Sequence, residues 1–128
     1  MFTVLVADDA DASRELIRAI LEGAGYGVTE AQDGAEALQC AQAEPPDLII
    51  LDIQMPRLNG YAVLRALRSN PTLQSIPVVA LTAGAMQGER QRALAAGFDL
   101  YITKPISIAD LRVEVGRLLR WNASEAAD

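Results

Sequence analysis

Cysteine is nearly missing from this chain: Cys40 is the only one among 128 residues. A lone thiol forms no internal disulfide and suits a reducing compartment, so a cytoplasmic protein is expected. The alanine-rich, helix-like surroundings of Cys40 make it buried filler. No apolar stretch approaches the roughly 18 residues that cross a bilayer. Met1-Phe2 leads straight into a strand-like run, without the basic start of a signal peptide. No membrane role is expected. Positive charge is also short: 11 Lys plus Arg stand against 17 Asp plus Glu, a net charge of -6. Such a surface repels nucleic acid rather than steering toward it. Arg65/Arg68 and Arg90/Arg92 lie on helix-like segments with acids elsewhere, and read as solvated faces. Lysine is the scarcest cation, because Lys104 is the only one and every other is arginine. A compact ammonium, which meets phosphate as a point charge, is thus kept at one position only.

What remains is the composition of one soluble domain. Hydrophobic residues make up 51% and charged residues 22%. The length suffices to bury about two-thirds of the unfolded surface in a single core. Short β-branched runs near 2–7, 27–31, 47–51, 77–81 and 99–103 alternate with helical periods near 12–24, 34–44, 58–69, 87–96 and 107–121. That alternation predicts βα units on a five-stranded parallel sheet, an α/β fold. Ile17, Ile20, Leu21 and Ala24 form one apolar stripe on the first helix; Ile108, Leu111, Val115 and Leu118 form another on the last. Asp33-Gly-Ala-Glu36 and Ser107-Ile-Ala-Asp110 have the pattern of capping boxes. Gly25, Gly60 and Gly97 punctuate turns or helix ends, and Pro45-Pro46 bars helix before the third strand. Met55 and Met86 read as gap fillers, and Trp121 as a cap of the last helix on the core. The domain is expected over 1–121, with 122–128 a frayed polar tail.

The chemistry sits where the strands stop. Asp8-Asp9 follow the first run, Asp52 the third, Thr82 the fourth and Lys104 the fifth. In a parallel sheet these side chains gather outside the carboxyl ends of the strands, where open α/β sheets bind ligands. Asp8 and Asp9 would face opposite ways along a strand, so both reach one ion only where the strand has ended. With Asp52 they form a hard-oxygen cluster suited to Mg²⁺. Three carboxylates and one ammonium carry about -2, which a divalent cation neutralises so that a phosphate dianion can approach. Aspartate also serves as a nucleophile that forms aspartyl phosphates. Asp52 ends the most continuously apolar strand, in the middle of the sheet, and is the candidate nucleophile. Lys104 would pair with one phosphoryl oxygen and Thr82 would donate a hydrogen bond to another.

Taken together, Asp8-Asp9, Asp52-Ile-Gln-Met-Pro56 with Gly60, Ala80-Leu-Thr-Ala83 and Thr103-Lys-Pro105 resemble the receiver domain of two-component response regulators. The likeness runs from about Thr3 to Leu119. It implies a flavodoxin-like, doubly wound (βα)5 sandwich of three layers. It implies that Asp52 accepts a phosphoryl group from a histidine kinase or histidine phosphotransfer protein, with Lys104, Thr82 and Ala83 binding that group. Asp9, Asp52 and the Gln54 carbonyl would hold Mg²⁺ or Mn²⁺, with Asp8 helping through water. Lys104-Pro105 would be a cis peptide that aims the lysine inward. Thr82 and Tyr101 match the family's switch pair, which alters the partner affinity of the fourth helix, fifth strand and fifth helix. From residues alone, Tyr101 reads as plain strand packing. Gln54 and Gly84 stand where the family tunes loss of the phosphoryl group. The protein would catalyse only its own phosphorylation and dephosphorylation, as a monomer or a phosphorylation-dependent dimer. Thr82-Ala-Gly-Ala-Met-Gln and Lys104-Pro-Ile-Ser look most like standalone regulators and receivers of hybrid kinases, and a standalone protein is expected.

Two other readings stay open on the residues. Asp9-Ala-Asp11, with Thr82 and Lys104, resembles haloacid-dehalogenase-type phosphatases, in which Asp9 would be the nucleophile and Asp11 the general acid. That scheme needs a further acidic pair after the lysine, where Pro105-Ile-Ser-Ile stands instead. The second is an interaction module on the same fold that is never phosphorylated. It would be expected to have lost the nucleophile, an acidic partner or the lysine, and all are present.

Overall fold

The computed structural model describes residues 1–55, 58–84 and 86–127, with side chains up to Arg120. Pro56, Ala85 and the Trp121 cap lie outside the described residues. The strands are β1 (Thr3–Ala7), β2 (Gly27–Ala31), β3 (Leu48–Asp52), β4 (Val78–Thr82) and β5 (Leu100–Thr103). The helices are α1 (Asp11–Gly23), α2 (Gly34–Ala43), α3 (Gly60–Arg68), α4 (Glu89–Ala96) and α5 (Ile108–Ala127). All neighbouring strands run parallel, in the order β2-β1-β3-β4-β5.

The two-residue period of the strands sorts side chains onto two helical layers. Val4, Val6, Leu48, Ile50, Val79 and Leu81 pack with Ile17, Ile20 and Leu21 of α1 and Leu111, Val115 and Leu119 of α5. Leu5, Ala7, Ile49, Leu51, Val78 and Ala80 face the other way, onto α2, α3 and α4. Covered on both sides, β3 and β4 are buried at every residue, which is why their sequences read as unbroken apolar runs.

Local signals fix the helix ends. Asp33 Oδ1 accepts from the Glu36 amide at 2.8 Å, and Ser107 Oγ from the Asp110 amide at 3.3 Å. Asn59 Oδ1 does the same for the Ala62 amide at 3.0 Å, so α3 starts at Gly60 rather than at 58. Gly97 ends α4 in the left-handed region at φ 118.

Several expectations are corrected. Ala24 is exposed, because α1 stops at Gly23. Ile108 is half exposed at the first position of α5, before the helix reaches the sheet, and Leu119 is buried in its stead. Met86 is an exposed loop residue, whereas Met55 does fill the core. Arg68 is more than a solvated charge: it donates to the carbonyls of Gln74, Ile76 and Gly97 and pairs with Asp99. α5 continues to Ala127, past the expected end at 121, over a stretch in which Ala123, Glu125, Ala126 and Ala127 favour helix. Among the described residues, no helix is long and apolar enough to cross a membrane.

Candidate functional site

β1 has β2 on one side and β3 on the other, so the order in which successive strands are added reverses at this strand. Such a switch point opens a crevice beyond the strand ends. Asp8 and Asp9 follow β1 directly, and Asp52 is the last residue of β3. One carboxylate oxygen from each lies within 4.8 Å of the others. Asp8 is fully buried and Asp52 nearly so, while Asp9 is exposed at the rim.

Lys104 enters from the end of β5. Its Nζ lies 3.0 Å from Asp8 Oδ2 and 3.6 Å from Asp52 Oδ2. The Lys104–Pro105 peptide bond is cis, with exposed Pro105 after the lysine. The Lys104 amide donates to the Thr82 carbonyl at 2.8 Å, joining the ends of β4 and β5. Thr82 is buried, and its hydroxyl makes no hydrogen bond among the described residues. Ala83 follows it on the surface. The exposed Gln54 donates its amide to Asp52 Oδ1 at 2.9 Å.

The two buried carboxylates sit in opposite electrostatic situations. Burial pushes Asp52 up to about 6, with the Asp8 carboxylate adding to the rise against the opposing Gln54 amide and Lys104. Burial acts upward on Asp8 as well. There it is outweighed by the Ser13 hydroxyl, the Ala10 amide at 2.9 Å and Lys104, so Asp8 stays below the ordinary carboxylate range. Ser13 Oγ makes no well-aligned hydrogen bond, yet its dipole lies close enough to favour the anion. The ammonium serves Asp8 first, and Asp52 is left short of positive charge. Hard oxygen donors in excess of cations, beside an orphan hydroxyl, fit a divalent cation and an anionic oxygen ligand.

Tyr101 is buried on the face of the sheet covered by α2, α3 and α4 and donates its hydroxyl to Glu89 Oε1 at 2.6 Å. Burial, then the Glu89 carboxylate, holds the phenol up to about 12. Glu89 was legible only as a first-turn acid of α4; its burial against Tyr101 depends on tertiary packing. Arg14 and Glu30, which brace the Asp8 loop, carried no motif either. Asp11 pairs with Arg14 at 2.7 Å and is outside the acidic cluster. Nothing supports the phosphatase alternative.

Residues 4–116 match the response regulator receiver domain family. The polar-differentiation response regulator DivK of Brucella anthropi is 39% identical over 106 residues, covering 83% of this chain and 86% of that protein. Among solved structures, the receiver domain of a signal transduction histidine kinase from Syntrophus aciditrophicus superposes with a TM-score of 0.86 at 37% identity, covering 94% of this chain and 91% of that one. The chemotaxis protein CheY4 of Vibrio cholerae superposes with a TM-score of 0.86 at 32% identity, covering 92% of this chain and 98% of that one.

Proposed function

Because the chain belongs to the response regulator receiver family, we propose that it relays a signal by carrying a phosphoryl group on Asp52. The donor would be the phosphohistidine of a histidine kinase or phosphotransfer protein. An Asp52 carboxylate oxygen attacks phosphorus, the bond to the imidazole nitrogen breaks, and its electron pair stays on the departing histidine. One observation carries the reading: the only lysine of the chain reaches the buried Asp52 carboxylate at 3.6 Å, within a cluster whose other acids are Asp8 and Asp9.

Each neighbour has a task. Asp9, Asp52 and the Gln54 carbonyl would hold Mg²⁺, or Mn²⁺ in its place, with Asp8 acting through water. When bound, the ion neutralises the carboxylates and the charge developing on the phosphoryl oxygens. Lys104 balances a phosphoryl oxygen from the β5 side, while the Thr82 hydroxyl and the Ala83 amide donate to the others. The orphan state of the Thr82 hydroxyl supports that role, since a buried donor without a partner costs about 1–3 kcal/mol.

The output would be a population shift. A dianion that binds better when Thr82 leans toward it favours the arrangement in which Tyr101 is packed inward. Tyr101 also lines a groove of about 460 Å³ across β5 and the start of α5, with Arg90 of α4 at its side. The α4-β5-α5 face is therefore the surface offered to a downstream protein.

Phosphate-affinity electrophoresis after incubation with acetyl phosphate tests the reading. Wild type should give a retarded band only with Mg²⁺, and Asp52→Asn should give none. A band that persists in Asp52→Asn would place the phosphoryl group elsewhere.

A further inference from the structure

Arg14 lies behind the acidic crevice yet grips its wall. Its side chain is only 9% exposed, a placement a guanidinium tolerates only when its donors are matched. Nη1 donates to the backbone carbonyl of Asp8 at 2.8 Å, Nη2 to Asp11 Oδ1 at 2.7 Å and Nε to Glu30 Oε1 at 3.0 Å. Asp8 follows β1, Asp11 opens α1 and Glu30 lies near the end of β2. The other Glu30 oxygen is held by Arg18 Nη1 at 2.5 Å. The Asp8 amide donates to the Ala31 carbonyl at 3.1 Å, so both backbone polar groups of Asp8 are tied to fixed neighbours. One side chain thus joins three elements around the short segment that carries both loop carboxylates.

The charge of this assembly is already spent locally. Arg14 is matched by Asp11 at 2.7 Å and Glu30 at 3.0 Å, and Arg18 by Glu30 and by Glu22 at 3.2 Å. Each guanidinium is paired with carboxylates on its own side of the segment, so little of the Arg14 charge reaches the crevice uncompensated. Its influence on the crevice is therefore geometric.

We infer that Arg14 is a positioning residue for the divalent cation, holding Asp8 and Asp9 at the spacing the ion needs without touching the ion or the reacting atoms. This rests on the reading above, in which those carboxylates hold Mg²⁺. Lysine cannot take its place, because one ammonium does not present three divergent donors along a rigid fork.

Isothermal titration of Mg²⁺ into the unphosphorylated chain tests this apart from any activity. Arg14→Gln and Arg14→Lys should raise the Kd for Mg²⁺ by roughly tenfold or more, the usual effect of losing an outer partner of a metal site. Glu30→Gln, which loosens the far anchor and leaves Arg14 in place, should raise it less and carries the test if the Arg14 variants fail to fold. Val115→Ala, a core truncation on α5, should lower stability and leave the Kd near wild type. Unchanged Kd values in all folded Arg14 and Glu30 variants would overturn the inference, leaving Arg14 a purely structural residue. So would tighter binding in Arg14→Gln, which would mean that its charge outweighs its grip. Wild type that binds no Mg²⁺ would overturn the metal reading itself, and this inference with it.

Discussion

Ionising Asp52 works against the fold. Its carboxyl is buried at the end of the central strand, and that burial pushes it up to about 6 from the ordinary 3.8. A folded state that holds its proton more tightly than the unfolded chain loses stability as pH rises between the two values. At about 1.4 kcal/mol per tenfold change in proton affinity, the cost at neutral pH is on the order of 3 kcal/mol. Asp52→Asn, which cannot ionise, should therefore melt higher than wild type at pH 7 in the presence of a chelator. The advantage should shrink as pH falls from 6 and vanish only below the 3.8 of the free carboxyl, where Asp52 is neutral in both the folded and the unfolded chain. Asp8, held below its ordinary value, acts in the opposite sense; because the two carboxylates repel, loss of the Asp52 charge relieves Asp8 as well and moves the difference in the same direction. Lower melting of Asp52→Asn at pH 7 would mean that Lys104 compensates Asp52 fully. Opposite displacements of two neighbouring acids are what a site does when one carboxylate must be kept reactive and the other kept charged. The identity of these residues was legible from strand-end position alone; which of the pair Lys104 favours was not, because that depends on sub-ångström placement of one ammonium.

The strands and helices came through from periodicity to within a residue or two, apart from the far end of α5. The capping pattern found Asp33 and Ser107 but passed over Asn59, because the acceptor stands ahead of Gly60 without a carboxylate three positions later. Gly60 itself is explained by contact. A Cβ there would meet Ile53 Cα at 2.8 Å and the Asp52 carbonyl oxygen at 3.0 Å. Both are backbone atoms of the segment that carries the candidate nucleophile. Gly60→Ala should cost about 1–3 kcal/mol as β3 and α3 are forced apart, and should weaken Mg²⁺ binding by displacing Asp52. Gly84→Ala is the matching control. The nearest atoms to a Cβ there are those of the Gln54 side chain at 3.7 Å or more, and its melting temperature should stay close to wild type. Equal melting temperatures for the two variants would show that the backbone behind Asp52 yields easily. Burial of Ile108 and Ala24 was misjudged for a related reason: a stripe on a helical wheel gives direction, but not where along its length the helix leaves the sheet.

The molecule as a whole is a sheet with two separate apolar layers and one polar edge. That plan was readable because a parallel sheet leaves its strands no solvated face, so apolar runs, turns and strand-end polar residues repeat in register along the chain. The links that pass between elements were not readable: Arg14 to Glu30, Arg68 to the Gly97 carbonyl, Tyr101 to Glu89. Each joins residues distant in sequence or on different elements, and no local pattern announces them. The central claim is that, of 17 Asp plus Glu in the chain, one carboxylate takes the phosphoryl group. The most direct measurement is reductive trapping. The protein is phosphorylated with acetyl phosphate and Mg²⁺, treated with borohydride to convert any aspartyl phosphate to homoserine, and mapped peptide by peptide by mass spectrometry. Homoserine at position 52 and nowhere else is the predicted result. Homoserine at position 8 or 9, or spread over several acids, would contradict it.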